Sequence, residues 1–357
     1  MSDSASDLPG GPPLLVWGAG AIGGTVAAHL ARAGVDVTVV DANAAHVEAI
    51  RRHGLEITGP VEAFSQPLRA FTPAEVSGVW ATVFLCTKAL DTAVAARALL
   101  PHLADDGVVV SLQNGLNELT IAEVAGRGRA LGAFVNFGAD VLEPGVVHFG
   151  GRGAVVVGEL DGRESARSER VLTLLRHFEP DAIVSDNIWG YLWGKMGYGV
   201  LLFAGALTDA SIVDTLDAPD VRAPLAELAR EVMRVAAEEG VTPMGFNGFE
   251  PTAFLAGASD ASIDASFAAM VAFNRGSAKT HSGVWRDIAV HHRKTETDAQ
   301  FNPILAIAHA RGVPVPLLER LVAAMHEIEA GERPLAWANL VGLAASGPTE
   351  GKHAHPL

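Results

Sequence analysis

The 357-residue sequence has few cysteines, few charged residues and a deficit of basic ones. Its single cysteine excludes an intramolecular disulfide and fits a reducing compartment. Lys and Arg number 26 against 41 Asp and Glu, which gives a formal net charge of −15. Nucleic acid is therefore not expected as a partner, because binding it requires basic surface. A small anion can still bind at one locally positive site.

Long apolar runs are also missing. The longest, around residues 200–207, is shorter than the roughly 18 residues that a membrane helix needs. The polar first 13 residues lack the basic start and apolar stretch of a signal peptide. We therefore expect no membrane association and a cytoplasmic location. Apolar residues nevertheless make up 49% of the chain, which is ample for a folded core.

Strand-like and helix-like segments alternate through the first half of the chain. Apolar or β-branched runs at 14–17, 35–40 and 79–86 are separated by helix-forming stretches that end at glycine. This alternation predicts βαβ units in a parallel sheet. Between about residues 130 and 160, valine, phenylalanine and glycine dominate, which indicates antiparallel strands appended to that sheet.

A glycine-rich loop, Gly-Ala-Gly-Ala-Ile-Gly at residues 18–23, follows the first apolar run and opens a helix. In a dinucleotide-binding loop of this spacing, the first glycine permits the tight turn and the second lets the backbone approach the pyrophosphate. The third lets the helix pack on the strand, and the helix N-terminus faces the phosphates. A glycine-rich turn without a nucleotide is the alternative. Within this loop, the residues assigned to cofactor binding are Gly18, Gly20, Ala21, Ile22 and Gly23.

Asp41 ends the second predicted strand, 23 residues after Gly18. A carboxylate here can accept hydrogen bonds from the adenosine ribose hydroxyls, and it repels a 2′-phosphate. No arginine stands at residues 42–44 to receive such a phosphate, so we predict NAD as the cofactor and leave NADP open. The alternative role of Asp41 is to cap the following helix, which would carry no cofactor preference.

From Asp186 onward the β pattern largely disappears, and apolar residues recur at helical spacing between 225 and 235. The predicted fold class is α/β, with an N-terminal Rossmann-type doubly wound sheet and a C-terminal all-helical domain. The predicted domains are 1–185 for dinucleotide binding, 186–345 for the helical substrate and catalytic domain, and 346–357 for a tail.

Five further motifs follow the glycine-rich loop. They are Thr87-Lys88-Ala89-Leu90-Asp91, Gln113-Asn114-Gly115-Leu116-Asn117, Trp193-Gly194-Lys195-Met196, Thr295-Glu296-Thr297-Asp298 and Gly312-Val313-Pro314-Val315-Pro316. In this order and spacing, from about residue 14 to 330, the sequence resembles the ketopantoate reductase (2-dehydropantoate 2-reductase) family. The resemblance implies reduction of a 2-oxo acid to a 2-hydroxy acid with a nicotinamide cofactor.

The resemblance also implies roles for four side chains. Lys195 matches the catalytic lysine of the family, a general acid that protonates the carbonyl oxygen. Glu296 matches an acid that partners this lysine and the cofactor ribose. Lys88 and Asn114 match residues near the nicotinamide and substrate, and both follow predicted strands, where ligands bind in open α/β sheets. With Asp41, they complete the residues assigned to cofactor binding. The alternatives are a solvated lysine, a surface glutamate and two turn residues.

The sequence departs from the family pattern where the substrate binds. Gly199 and Phe203 stand four and eight residues after Lys195, where the family usually has asparagines. Residues 280–283 read Thr-His-Ser-Gly in place of paired serines. Because polar partners for a substrate hydroxyl are lost, we predict a substrate bulkier or more apolar than ketopantoate. The residues assigned to substrate binding are Gly199, Phe203, His281 and Ser282.

Thirteen histidines invite a metal interpretation. His291 and His292 are adjacent, so on a helix they would point about 100° apart and would not share an ion. We predict no metal, and consider His281 or His292 as an additional acid. The spacing from Asp287 to Glu296 is one residue longer than in the family pattern.

Two other functions stay open. The first is an NAD-dependent dehydrogenase that oxidises a 2-hydroxy acid, which Asp41 and the cellular NAD pool favour. The second is a non-catalytic dinucleotide-sensing protein, against which the presence of Lys195 and Glu296 speaks. The expected partner is a small carbonyl or hydroxy acid, and the apolar helical half would suit a homodimer. Cys86, within an apolar run, is expected to be a buried small hydrophobe.

Overall fold

The structure is a computed structural model that describes residues 13–276 and 279–344. Contacts within the chain divide it into two compact units, residues 1–192 and 193–357. The domain boundary after residue 185 stays a prediction, and the proposed tail at 346–357 lies outside the described residues.

The first unit alternates strands and helices, as the sequence predicts. Its elements are β1 (Leu14–Trp17), α1 (Ala21–Arg32), β2 (Val37–Val40), α2 (Ala44–His53), β3 (Leu55–Thr58), β4 (Phe64–Gln66), β5 (Arg69–Phe71), β6 (Trp80–Leu85), α3 (Thr92–Leu99), β7 (Leu103–Ser111), α4 (Asn117–Ala125), β8 (Ala130–Val135), β9 (Gly138–Glu143), β10 (Val146–Gly151), β11 (Val155–Gly158), α5 (Ala166–Leu175) and β12 (Ile183–Val184).

An eight-stranded sheet forms the centre of this unit, in the order β12-β11-β8-β7-β6-β1-β2-β5. All neighbouring strands are parallel except β8 and β11. Strand order reverses at β1, so the loops after β1 and β6 diverge at the edge where ligands bind in such sheets. Alternate residues of β1 enter opposite cores, Leu14 and Val16 on one face and Leu15 and Trp17 on the other. The predicted α/β fold class is confirmed.

A second sheet covers helix α1. Its order is β4-β3-β10-β9, with β3 and β10 parallel and the outer pairs antiparallel. The interpretation of residues 130–160 as antiparallel strands appended to the main sheet therefore holds only for β11. Strands β9 and β10 belong to the second sheet, and β3 to β5 were not predicted. Helix α1 contacts both sheets, and its residues 23–30 are all buried.

The second unit is helical, as predicted. Its helices are α6 (Ile188–Gly205), which begins in the first unit, α7 (Ile212–Asp217), α8 (Arg222–Glu238), α9 (Asp260–Arg275), α10 (Gly283–Ala289), α11 (Thr297–Arg311), α12 (Pro316–Glu329) and α13 (Trp337–Gly342). Helix α8 packs against α11 and α12, and α7 packs against α9. Within the described ranges, no helix combines the length and apolarity needed to cross a membrane.

Candidate functional site

The glycine-rich loop joins β1 to α1 and leaves open space at its middle glycine. Gly18 has φ +102, and its N–H donates to the Val40 carbonyl at 2.7 Å. A Cβ on Gly23 would lie 1.9 Å from the Gly18 carbonyl oxygen and 2.7 Å from Cys86 Cβ, so this position requires glycine. A Cβ on Gly20 would meet no atom within 4 Å. An anion is therefore favoured beside Gly20, at the start of α1.

The exposure of the loop follows the same division. Gly20, Ala21 and Ile22 are partly exposed, whereas Gly18 and Gly23 are buried. Cys86, predicted to be buried, is partly exposed and packs against the loop, and desolvation raises the pKa of its thiol far above the usual range. The thiol therefore stays protonated, which fits a packing role and not a nucleophile.

Asp41 is held by two backbone N–H groups. Its Oδ2 accepts from Ala19 N and its Oδ1 from Asn43 N, each at 2.8 Å. The cap of α2 is Asn43, whose Oδ1 accepts from Ala45 N and His46 N, so the helix-cap alternative for Asp41 is wrong. The carboxylate is thus fixed at the end of β2, next to the glycine-rich loop.

Lys88 and Asn114 are both exposed, in the loops that follow β6 and β7. A buried network joins these two loops: Gln113 Nε2 donates to the Thr87 carbonyl at 3.0 Å and to Thr92 Oγ1 at 2.8 Å. Thr92 Oγ1 in turn lies 2.8 Å from Asn117 Oδ1, and Asn117 Nδ2 donates to the Asn114 carbonyl at 2.6 Å. The sequence analysis missed these connecting side chains, although two of them stand in the quoted motifs.

Lys195 lies on α6 near three glycines, of which two are closely packed and one faces open space. A Cβ on Gly194 would lie 2.0 Å from the Met244 carbonyl oxygen, and one on Gly197 would lie 2.6 Å from Met233 Cε. Those two glycines allow close packing. A Cβ on Gly199, one turn after Lys195, would meet no atom within 4 Å. Lys195 is partly exposed, and the space beside it is open at Gly199.

Glu296 is 8% exposed and directly precedes α11. Its flanking residues are anchored to α12: Thr295 N donates to Glu329 Oε1 at 2.8 Å, and Thr295 Oγ1 lies 2.6 Å from Thr297 Oγ1. This segment therefore holds the Glu296 backbone in place.

Asp298 anchors the other side of the same segment. It accepts from Lys294 Nζ at 2.8 Å and lies 2.7 Å from His326 Nε2 on α12. The Lys294 hydrogen bond, with a further contribution from His326, lowers the pKa of Asp298. The carboxylate therefore stays ionised under neutral conditions and keeps both contacts.

The four residues predicted to bind substrate differ from one another in exposure and in contacts. Gly199 faces open space, whereas Phe203 is 2% exposed and packs edge-on against Phe301 of α11, with ring centroids 4.7 Å apart. This contact brings together α6 and α11, the helices associated with Lys195 and Glu296. Ser282 caps α10 by accepting from Trp285 N at 3.1 Å. His281 is partly exposed and stacks on Trp285, with centroids 4.0 Å apart.

A narrow cleft of about 10 Å³, with room for roughly one water molecule, lies further along α6. Its walls include Leu202, Gly205, Thr215, Ser282 and Trp285, and they are mostly apolar. Thr215 Oγ1 and Trp285 Nε1 are buried, and neither has a hydrogen-bond partner among the described residues. No local sequence pattern indicates Thr215 or Trp285, because α7 and α10 are far apart in the chain.

A turn follows α10 in the segment between Asp287 and Glu296. His292 adopts φ +48, a conformation that a side chain other than glycine seldom takes. Arg293 closes the turn, with Nε 2.8 Å from Asp287 Oδ1. His291 and His292 are exposed. Across residues 13–276 and 279–344, no three His, Cys, Asp or Glu side chains are grouped to hold a metal ion.

Comparison with known proteins identifies two family profiles in the chain. Residues 14–162 match the profile described as ketopantoate reductase PanE/ApbA, and residues 187–329 match its C-terminal counterpart. A 2-dehydropantoate 2-reductase of Archaeoglobus fulgidus is 33% identical over 236 residues, which cover 66% of this chain and 74% of that protein.

Solved structures share the fold over nearly their full length. A PanE/ApbA family ketopantoate reductase from Ralstonia eutropha JMP134 is 27% identical, with a TM-score of 0.74, covering 90% of this chain and 99% of that one. A D-mandelate dehydrogenase solved with NADH and anilino(oxo)acetate has a TM-score of 0.77 at 22% identity, covering 89% and 99%. The latter likeness is one of fold.

Proposed function

We propose, from the premise that this chain belongs to the ketopantoate reductase family, that it uses NADH to reduce a 2-oxo acid to a 2-hydroxy acid. Family membership makes it an NAD(P)-dependent oxidoreductase that acts on a small molecule. The finer assignments, to NADH, to Lys195 as the acid and to a substrate other than ketopantoate, are the proposal.

The first unit offers residues that fit a dinucleotide. The open space at Gly20 is where a Cβ would sit and where the pyrophosphate is proposed to lie, beside the start of α1. The Asp41 carboxylate, which accepts from Ala19 N and Asn43 N, can also accept hydrogen bonds from ribose hydroxyls. Lys88 and Asn114 follow neighbouring strands at the same sheet edge. When bound, the reduced nicotinamide supplies a hydride to the carbonyl carbon.

The second unit offers the proton. As hydride reaches the carbonyl carbon, the carbonyl oxygen gains negative charge, and the Lys195 ammonium donates a proton to it. A protonated lysine also polarises the carbonyl beforehand. We assign Glu296, a nearly buried carboxylate in a segment anchored to α12, to holding Lys195 in its charged form.

The observation that carries the substrate proposal is the open face of α6. Lys195, Gly199 and Leu202 stand at i, i+4 and i+7, so they share one helix face, and all three are partly exposed. Leu202 lies about 10 Å along the axis from Lys195 and lines the apolar cleft. With its reacting carbonyl at Lys195, a 2-oxo acid can extend an apolar substituent past Gly199 toward that cleft.

Substitution of Gly199 by asparagine tests this arrangement. The fold should be unchanged, because the added Cβ meets open space. The asparagine side chain would enter the space proposed for the substrate's apolar substituent, so kcat/KM for bulky 2-oxo acids should fall by about tenfold or more. The kcat/KM for ketopantoate, expected to be low with the native enzyme, should fall less. Steady-state kinetics on both substrates measures the effect, and Gly199→Ala is the matched control. Efficient reduction of ketopantoate by the native enzyme would contradict the substrate assignment.

Cofactor choice is tested at Asp41. NADH should bind more than about tenfold tighter than NADPH, because the carboxylate repels a 2′-phosphate. Asp41→Asn keeps an oxygen acceptor for a backbone N–H but removes the negative charge. It should therefore reduce the difference in affinity between NADH and NADPH, mainly by strengthening NADPH binding. Calorimetry on the native protein and the variant measures Kd for both cofactors. Tighter binding of NADPH than of NADH by the native protein would contradict the role proposed for Asp41.

Oxidation of a 2-hydroxy acid with NAD is the second candidate direction, because Asp41 favours NAD as the cofactor and cellular NAD pools favour oxidation. Measuring the rate in both directions decides between them. A cytoplasmic location and a homodimer stay predictions, and native mass spectrometry would test the dimer.

A further inference from the structure

We propose that His46 is a positioning residue for the cofactor-binding loop, which it ties to the turn between β9 and β10 of the second sheet. The inference rests on the proposed placement of the dinucleotide at residues 18–23. His46 stands in the first turns of α2 and is 3% exposed. No sequence motif pointed to it.

The ring of His46 bridges two backbone groups that are distant in sequence. Its Nδ1 accepts a hydrogen bond from Gly145 N at 3.0 Å, and its Nε2 lies 2.9 Å from the Ala19 carbonyl oxygen. Because a backbone N–H can only donate, Nδ1 carries no proton. The proton of the neutral ring is therefore on Nε2, which donates to Ala19.

This donation fixes the direction of the next peptide group. The Ala19–Gly20 peptide is planar and trans, so its N–H, on Gly20, points away from the carbonyl that His46 holds. Ala19 N donates on its other side to Asp41 Oδ2 at 2.8 Å. With both polar atoms of Ala19 engaged, the Gly20 N–H has a fixed direction beside the proposed pyrophosphate position.

The far end of the bridge is itself anchored. Gly145 adopts φ +83 in the turn between β9 and β10, and its carbonyl accepts from Glu56 N of β3 at 2.9 Å. A Cβ on Gly145 would lie 2.9 Å from Ala49 Cβ, which shows how closely the turn approaches α2. The second sheet thus holds His46, and His46 holds the loop.

Three variants separate positioning from general stability. The amide of a glutamine side chain reaches the place of Nε2 and can donate to Ala19, whereas that of an asparagine reaches only the place of Nδ1 and can accept from Gly145. Leucine does neither. His53→Leu, at an exposed position near the end of the same helix, is the control.

The experiment measures Kd for NADH, kcat at saturating NADH and the melting temperature of the full-length variants. His46→Leu and His46→Asn should raise Kd for NADH about tenfold, because the Ala19 carbonyl loses its hydrogen bond and the cofactor-binding loop loses its fixed orientation. The kcat at saturating NADH should stay within about twofold of the native value, because His46 takes no part in the chemical step. His46→Gln should restore most of the affinity, although Gln and Asn lower the melting temperature alike. If His46→Leu does not fold, the Gln and Asn pair decides.

Native-like affinity in His46→Asn, or rescue by Asn and not by Gln, would overturn the inference. So would a fall in kcat with unchanged Kd. Failure of the native protein to bind NADH would overturn the proposed cofactor site and this inference together, whereas native binding with unaffected variants overturns this inference alone.

Discussion

Replacing Lys195 by methionine is expected to lower kcat for 2-oxo acid reduction by about 10²- to 10⁴-fold, the usual contribution of a positioned general acid. Methionine keeps the unbranched chain but has no proton to give. Lys195 is partly exposed on α6, so the fold should tolerate the change. Kd for NADH should change little, since the proposed dinucleotide contacts belong to residues 18–23, Asp41, Lys88 and Asn114. Single-turnover kinetics and calorimetry measure the two quantities separately.

Two controls sharpen this result. Lys195→Arg keeps the positive charge but releases a proton poorly, so it should stay slow if proton donation is the main role. Arg170→Met removes a positive charge at an exposed position of α5, outside the residues assigned to the site, and should leave kcat unchanged. A native rate in Lys195→Met would remove the lysine from the mechanism.

Replacing Gly20 by alanine is expected to weaken NADH binding by about tenfold or more without destabilising the protein. The added methyl group meets no atom within 4 Å, so it is accommodated by the fold and instead occupies the space proposed for the pyrophosphate. Calorimetric Kd and thermal unfolding are the measurements. Native affinity in this variant would place the cofactor elsewhere.

Gly23→Ala is the paired variant, with the opposite expectation. Its Cβ would lie 1.9 Å from the Gly18 carbonyl oxygen, so α1 must move away from β1. Overpacking of this kind typically costs about 1–3 kcal/mol, and more where backbone is the obstacle. The melting temperature should fall strongly for Gly23→Ala and stay constant for Gly20→Ala. Equal melting temperatures for the two variants would contradict the close packing at Gly23 and the open space at Gly20.

The first unit shows which parts of the fold are readable from sequence. The βαβ alternation and the glycine-rich loop are local patterns, and the structure places β1 and β2 within two residues of the predicted runs at 14–17 and 35–40. Strands β4 and β5 are three residues each, too short to show a period. The pairing of β3 with β10 joins residues about 90 positions apart, which no local pattern encodes.

The site follows the same logic. The positions of the loop glycines and of Asp41 can be predicted from their spacing in the sequence. The residues that fix the loop backbone depend on tertiary packing and cannot. His46 contacts Ala19 only because the β9–β10 turn folds against α2. Eight residues after Lys195, Phe203 is turned about 80° around α6, and its ring packs against Phe301. Leu202, at i+7, returns to the Lys195 face, and helical geometry could have identified it.

The most direct test of the proposed reaction is the loss of reduced-nicotinamide absorbance on mixing the native protein with NADH and 2-oxo acids of graded size. The proposal expects turnover with NADH, fastest for branched or aromatic 2-oxo acids and at least about tenfold slower for ketopantoate. Tight NADH binding with no consumption across the whole panel would contradict it, and would favour a protein that senses the dinucleotide without turning it over.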